Sequence, residues 1–367
     1  MKKQNVVMFI LLVSAIHIQG VIHNIIDDIF HHKGTLRQIE LGKIVVYFQQ
    51  TPNIVSVSDK PGELHLVLPN TALAKKFLNL MEKYYCSENK TLYCVTITKN
   101  ELKNGDIQLA IQYDAQSVVP EYALFDSISQ KKGLVIRFYN KDLLNRMQKH
   151  EKHALYMAAR DKPSVVIDPG HGGHDYGAIG LNKVYEKDIS LAIGKEVASL
   201  LNKQGITSYL TRKDDRFIPL DERTTFANAC DALLFVSIHT NASNRTQASG
   251  IETHYMTPML FSHTVTMDPA YTDIIRQIQR NIGDRSCVLA KQIQASVLQE
   301  VTTFYKDNLC DRNLKQSVGQ VLLGVTVPSI LVEVGFLSHI DEAQRLAMVE
   351  YQHVLAQGIV RGILAYI

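Results

Sequence analysis

The stretch VVIDPGHGGHDYGAIG, Val165 to Gly180, carries two histidines, two aspartates and five glycines directly behind an apolar run. A phosphate cradle, a metal site and a plain loop are the readings such a stretch admits. Spacing disfavours phosphate, because the G-x-G-x-x-G turn is absent and no Lys followed by Ser or Thr closes a P-loop. The glycines instead let the backbone turn sharply beside His171. Further along, His239 follows the apolar run LLFVSI, Glu333 follows SILV, and Glu186 stands just ahead of an amphipathic stretch. Two histidines and a carboxylate are a common catalytic zinc set, because neutral imidazole and carboxylate oxygen both suit zinc and three protein ligands leave a fourth position for water. Imidazole nitrogen alone also suits copper or nickel. One glutamate would then serve the metal, while the other moves protons between an attacking water and a departing amine.

Residues so far apart in sequence need a scaffold that gathers them. After Pro163 the pattern alternates strand and helix: VVIDP, EKDISLAIGKEVASLL, ITSYLTR, PLDERTTFANAC, DALLFVSIH, SCVLAKQIQASVLQEVTTFY, PSILVEVGF and a closing helix from Asp341 to Ile367. Continuous apolar strands between amphipathic helices predict an α/β fold with a mainly parallel, twisted sheet flanked by helices. Working sites in such sheets lie beyond the carboxyl ends of the strands, where His171, His239 and Glu333 fall.

The preceding part of the chain has a different rhythm. KIVVYFQ, ELHLVLP, TLYCVTIT, DIQLAIQYD and GLVIRFYN are short alternating or β-branched runs, which predict a smaller, mostly β domain over 21–140. TALAKKFLNLMEKYY reads as a helix within it, and 141–163 as a charged helical linker. A total of 367 residues is too long for one ordinary domain, and 46% hydrophobic with 20% charged residues places the chain in the globular class.

The start, MKKQNVVMFILLVSAIHIQG, sets Lys2 and Lys3 before an apolar run from Val6 to Ile16, which reads as a secretory signal over 1–20. The run is about half of the roughly 20 residues that a permanent span requires, so export without a membrane anchor is expected. A net charge of +3 with no basic block gives no indication of nucleic acid. Five cysteines leave at least one unpaired, Cys86 and Cys94 being the near pair, and no C-x-x-C knuckle is present.

DPGHGGHDYGAIG, Glu186, FVSIHTNAS and PSILVEVGFLSH together resemble the ordered motifs of the zinc-dependent N-acetylmuramoyl-L-alanine amidases of the amidase-3 type. The resemblance covers 164–367. It implies one zinc per chain held by His171, Glu186 and His239, with Glu333 as the catalytic glutamate. The implied substrate is peptidoglycan, cut at the amide between N-acetylmuramic acid and the L-alanine of the stem peptide, in the periplasm or at the cell wall, during cell separation or wall remodelling. Arg223 and Asn228 match the family as scaffold residues, and Asp168 is expected to orient the loop or the imidazole. Asn313 stands where the family usually has Gly, a departure that Asn tolerates because it accepts positive φ. His174, His254 and His339 are read as structural, with His254 a candidate for the cleft wall. The segment 257–286 is longer than the simplest family members need, and some relatives carry an inhibitory helix there that an activator protein displaces. The β domain is similar in position to wall-targeting AMIN domains. Two other readings stay open: a zinc peptidase acting within the stem peptide, and an inactive wall-binding scaffold. Loss of a ligand would mark the scaffold, yet all four residues are present.

Overall fold

The computed structural model describes residues 24–33, 40–52, 54–56, 61–69, 71–73, 85–86, 93–99, 107–127, 131–150, 164–180, 183–230, 232–305 and 309–367. The expected signal at 1–20, most of the helix expected after Leu73 and the second half of the expected linker lie outside these residues. The chain divides into two compact units, Met1–Glu151 with Phe261–Ile274, and Lys152–Leu260 with Ile275–Ile367.

The first unit holds strands β1 (Asn24–Lys33), β2 (Glu40–Phe48), β3 (Val55–Ser56), β4 (Glu63–Leu68), β5 (Thr71–Leu73), β6 (Tyr85–Cys86), β7 (Tyr93–Lys99), β8 (Ile107–Tyr113), β9 (Val118–Asp126) and β10 (Lys132–Asn140), followed by helix α1 (Lys141–His150). One sheet runs β3-β4-β8-β7-β6, and the other runs β5-β1-β2-β10-β9 and ends on Phe261–Thr266, called β15 from its place along the chain. Period-two alternation puts Leu64, Leu66 and Leu68 of β4 and Leu109 and Ile111 of β8 against Ile44, Val46, Leu134 and Ile136 in one core. Each such side chain contributes about 1.5–3 kcal/mol when removed from water. Thr71–Leu73, the start of the expected helix, is a strand because its backbone pairs in parallel with Asn24–Ile26 of β1.

On the sheet face away from that core, Lys43, Arg137 and Glu121 lie side by side across β2, β10 and β9. All three are buried, so their charges need partners. Arg137 Nη1 donates to Glu121 Oε2 at 3.0 Å, and Lys43 pairs with Glu40 at 2.8 Å. Burial pushes the Lys43 ammonium pKa below its ordinary value, although Glu40 opposes it. The Arg137 guanidinium lies 4.4 Å from the centre of the Phe261 ring on β15.

β15 decides how the 257–286 segment is to be understood. Instead of forming one elaboration of the second unit, the segment divides between the two. The edge of β9 offers unpaired backbone groups, and Phe261–Thr266 satisfies them as an antiparallel partner. The turn that follows, Pro269–Tyr271, is fastened to α1 by Gln148 Nε2 to Ala270 O at 2.8 Å and Tyr271 Oη to Asn145 Oδ1 at 2.6 Å. Helix then begins at Thr272 and runs for 34 residues.

The second unit contains β11 (Ser164–Pro169), α2 (Glu186–Lys203), β12 (Thr207–Leu210), α3 (Leu220–Ala229), β13 (Leu234–Asn241), β14 (Ile251–Tyr255), most of α4 (Thr272–Tyr305), β16 (Asp311–Gln316), α5 (Gln320–Gly324), β17 (Ser329–Phe336), α6 (Ile340–Leu346) and α7 (Val349–Tyr366). Its sheet order is β12-β11-β13-β17-β14-β16. The first four strands are parallel, and β14 is antiparallel to β17 with β16 parallel to β14. One core packs Val165, Val236 and Val332 against Ile193, Ile293 and Ile359 from α2, α4 and α7. A second core places Val166 and Phe235 against Ala227, Val321 and Leu322. Helices therefore cover both faces, as expected for strands that are apolar throughout. The departure is at β14 and β16, which lack a continuous apolar run: β14 carries Glu252, Thr253 and His254, and β16 is largely exposed.

The ionic row yields a stability prediction. Glu121→Ala leaves the Arg137 guanidinium buried without its carboxylate, and should cost the first unit about 3–5 kcal/mol. Hydrogen exchange of the β9 and β10 amides measures this, and unchanged protection would show that the pair does not hold the sheet.

Candidate active site

β11, β13 and β17 are neighbours in the sheet, so the residues at their carboxyl ends meet. His239 and Glu333 face each other in the β13–β17 register. His171 lies two residues past the end of β11 and adopts φ 59°, a left-handed conformation that His accepts more readily than most residues. Glu186 opens α2 and is buried.

Several buried side chains impose that loop geometry. The Asp168 and Arg223 side chains are 1% and 2% exposed, and Arg223 Nη1 donates to Asp168 Oδ1 at 2.9 Å. Asp168 also accepts from Thr211 Oγ1 at 2.6 Å and Ser237 Oγ at 2.8 Å. Burial alone would raise the Asp168 pKa, but Arg223 and the two hydroxyls hold it below the usual carboxylate value. Arg223 then reaches the loop backbone, donating to Pro169 O at 2.7 Å and His171 O at 2.6 Å. Arg212, wholly buried, donates to Pro169 O at 3.0 Å and Gly170 O at 2.7 Å. Asp168 thus orients the loop, while the imidazole of His171 has a different partner, Asp175, at 2.8 Å from Nδ1.

His171, Glu186 and His239 come together with one ligand atom from each within 4.8 Å of the others, a grouping that can hold a metal ion. Glu186 Oε1 lies 3.1 Å from His171 Nε2 and 2.8 Å from His239 Nδ1, and accepts from Thr240 N at 3.0 Å. Its Oε2 accepts from Ala178 N at 2.7 Å. Burial would raise the Glu186 pKa, but both imidazoles outweigh it and hold the carboxyl well below its ordinary value. Two glycines make room. A Cβ on Gly170 would strike the His239 ring, and one on Gly177, at φ 65°, would sit 2.5 Å from Glu186 Oε2 and 2.6 Å from the His171 ring.

Glu333 keeps some exposure as a residue, but its Oε2 is buried with no hydrogen-bond partner among the described residues. Burial raises its pKa well above the carboxylate range, and the nearby anions Glu186 and Glu252 push it the same way. Glu252, opposite Glu333 in the β14–β17 register, is treated differently. It accepts from Asn241 Nδ2 at 2.9 Å and Arg312 Nε at 2.8 Å and lies 3.2 Å from His254 Nε2. Against the upward effect of burial, His254 and Arg312 bring its pKa down to about 2. A protonatable carboxyl therefore sits between two carboxylates that stay charged, the separation of roles needed for proton transfer.

The remaining residues singled out from the sequence have structural surroundings. His174 packs 4.3 Å from the Phe217 ring centre, and His339 caps α6 by accepting from Glu342 N. His254 lies beside Glu252 and Ser317. Asn228 joins the α3 end to Gly324 O and Thr326 N, both at 3.1 Å. Asn313 adopts φ 62°. Sequence reasoning missed Asp175, Arg212 and Glu252. The signal for Asp175 was its place four residues after His171 in a loop, and for Glu252 its place in the segment GIETHYM.

The Asp168–Arg223 pair predicts a pH dependence. Asp168 is depressed in the folded state, so its contribution is complete above the unfolded carboxylate value of about 3.9 and declines as pH falls towards the folded value. Asp168→Asn should lose about 3–5 kcal/mol at pH 7. Variant and wild type should converge in urea unfolding only below about pH 4, and a gap that persisted there would rule out the charge as its origin.

Residues 165–365 match the family described as N-acetylmuramoyl-L-alanine amidase. AmiC, an N-acetylmuramoyl-L-alanine amidase of Escherichia coli O6:H1, is 34% identical over 226 residues, which span 57% of this chain and 54% of AmiC. The match thus spans about half the length of that relative. AmiA of Escherichia coli K12 is 32% identical over 222 residues, spanning 56% of this chain and 76% of AmiA. The solved structure of the amidase AmiC2 of Nostoc punctiforme is 36% identical, covers 56% of this chain and 96% of its own, and has a TM-score of 0.46.

Proposed function

The chain belongs to the N-acetylmuramoyl-L-alanine amidase family, and on that premise we propose that it hydrolyses the amide between N-acetylmuramic acid and the L-alanine of the peptidoglycan stem peptide, with zinc held by His171, Glu186 and His239 and with Glu333 as acid and base. The observation that carries this reading is the gathering of those three donors within 4.8 Å of one another, with Glu333 across from His239 in register. Two imidazoles and one carboxylate suit zinc and leave a position open, as catalytic sites require. The unpartnered Oε2 of Glu333, whose carboxyl lies near enough to Glu186 for that charge to raise its pKa, is consistent with it.

A zinc held by His171, Glu186 and His239 would supply Lewis-acid polarisation of the scissile carbonyl and a lowered pKa for its water. The side chains do the rest. Asp175, at His171 Nδ1, favours the tautomer that carries its proton there and leaves Nε2 free to ligate. Thr240 N and Ala178 N fix the Glu186 carboxylate in one rotamer. Glu333, whose proton affinity is raised by burial and by Glu186, takes the proton of the attacking water and returns it to the alanine nitrogen as that amine leaves. Lys2, Lys3 and the Val6–Ile16 run support export to the compartment where this polymer lies. Among the described residues, no helix is long and apolar enough to cross a membrane.

Mass spectrometry of digested muropeptides tests the reaction. Free stem peptides with an L-alanine amino terminus, together with peptide-free glycan, are expected, whereas shortened peptides still attached to muramic acid would establish a peptidase. Glu333→Gln should lower kcat by about 10²–10⁴ while zinc stays near one per chain, and His171→Ala should lose the metal. Full activity in Glu333→Gln would remove the acid–base role. Asp175→Asn should weaken zinc affinity by about 10–100-fold, read by chelator competition, and an unchanged affinity would separate Asp175 from the metal.

A further inference from the structure

The loop that follows β13 and residue Arg312 of β16 line an open cavity of about 710 Å³. Its polar lining is Ser243, Asn244, Arg245, Gln247 and Arg312, with no acidic side chain among them. Arg312 is held in place from two sides. Its Nε donates to Glu252 at 2.8 Å, and its guanidinium lies 4.7 Å from the centre of the Phe336 ring. Its terminal Nη groups have no partner among the described residues, and the side chain stays 32% exposed. Arg245, across the cavity, is exposed and forms no ion pair among the described residues. The loop is shaped by a bond to the turn after β17, Ser243 N to Ser338 Oγ at 3.0 Å, and by one of its own, Arg245 N to Ser243 Oγ at 3.1 Å. A fixed guanidinium with unused donors beside a second free one recognises a planar carboxylate, and such charge-assisted pairs are strong and geometrically selective.

The position of the cavity identifies which carboxylate. Ala242, on its wall, is three residues past His239, so the two Cα atoms are at most about 11 Å apart. Glu252, which pins Arg312, is the register partner of Glu333. An anion beside Ala242 therefore lies within about three extended residues of His239, a range that includes the residue after the L-alanine. We propose that the cavity of Arg245 and Arg312 is the subsite for the leaving peptide, binding the free carboxylate of the residue after the L-alanine and so setting a preference for acidic over amidated stems. This inference rests on the amidase reading and adds to it a recognised group. The cavity is walled by residues that neither ligate the metal nor transfer protons.

Calorimetric titration of the full zinc-loaded chain tests it with two dipeptides blocked as γ-methylamides, so that only the α-carboxyl differs: L-alanyl-D-glutamate and its α-amidated counterpart L-alanyl-D-isoglutamine. The acid should bind about tenfold more tightly, the scale of a charge-assisted pair. Arg245→Gln, at an exposed loop side chain, and Arg312→Gln should each bring that ratio towards one. Arg312→Lys, which keeps the charge and loses the fork, should restore it only partly. Equal binding of the two dipeptides by the wild type, or a ratio unchanged in Arg245→Gln and Arg312→Gln alike, would overturn the subsite. Either result alongside normal release of stem peptides from sacculi would remove the subsite alone, whereas a digest of shortened, still-attached peptides would remove the amidase reading.

Discussion

An ionised Asp168 inside the sheet is the constraint on which the site depends. The carboxylate is 1% exposed, and a lone charge at such depth would be protonated or would unfold its surroundings. It remains charged because Arg223, Thr211 and Ser237 converge on it from α3, the end of β12 and β13. Those partners fix more than a charge. Besides the carbonyl of Ile218, Arg223 donates to the carbonyls of Pro169 and His171, so the buried pair also holds the backbone where it leaves β11 and where His171 adopts a left-handed φ. The arrangement is a bracket: its electrostatic part lies in the sheet, and its outcome is the direction of one imidazole.

From that bracket outward the site sorts three glutamates by their company. Glu186 is compensated by two imidazoles and two backbone amides, and Glu252 by Arg312, His254 and Asn241. Glu333 lies between them with one oxygen unpartnered. Like charges on either side and the burial of its carboxyl both favour the neutral form, so under the proposed function one residue type serves as a permanent anion, a fixed counter-ion and a proton carrier. No feature of Glu333 itself distinguishes it. The difference lies in which strands its neighbours occupy, and β14 running against β17 is what puts Glu252 directly opposite.

That contrast separates what the sequence made legible from what it hid. His171, His239 and Glu333 were readable because each follows an apolar strand, and parallel strands put their carboxyl ends at one edge. Glu186 was readable from its place ahead of an amphipathic helix. Asp175, Arg212 and Glu252 act through partners that lie up to 60 residues away, and a lone Asp or Arg in a loop carries no mark of its partner. Two local readings yielded to tertiary structure. Thr71–Leu73 opens a stretch whose sequence pattern reads as helical but pairs with β1, and the polar β16, which carries no strand pattern, joins the sheet edge beside β14. Such edges are invisible to periodicity, since their outward residues are free to be polar.

The same limit explains the segment 257–286, where chain order and structural membership part company. Phe261–Ile274 belongs to the first unit although the residues on both sides belong to the second. The chain therefore passes between the units three times: after Glu151, before Phe261 and after Ile274. An edge strand borrowed from so far along the sequence cannot be replaced locally. A chain ending at Glu151 would expose the β9 edge that Phe261–Thr266 covers and would deprive the Arg137 guanidinium of the ring it lies against. Unpaired edges invite aggregation, and a buried cation stripped of a contact becomes costlier to hold. The β unit is thus a domain in its packing and not in its sequence, and its stability is tied to the part of the chain that carries the candidate site.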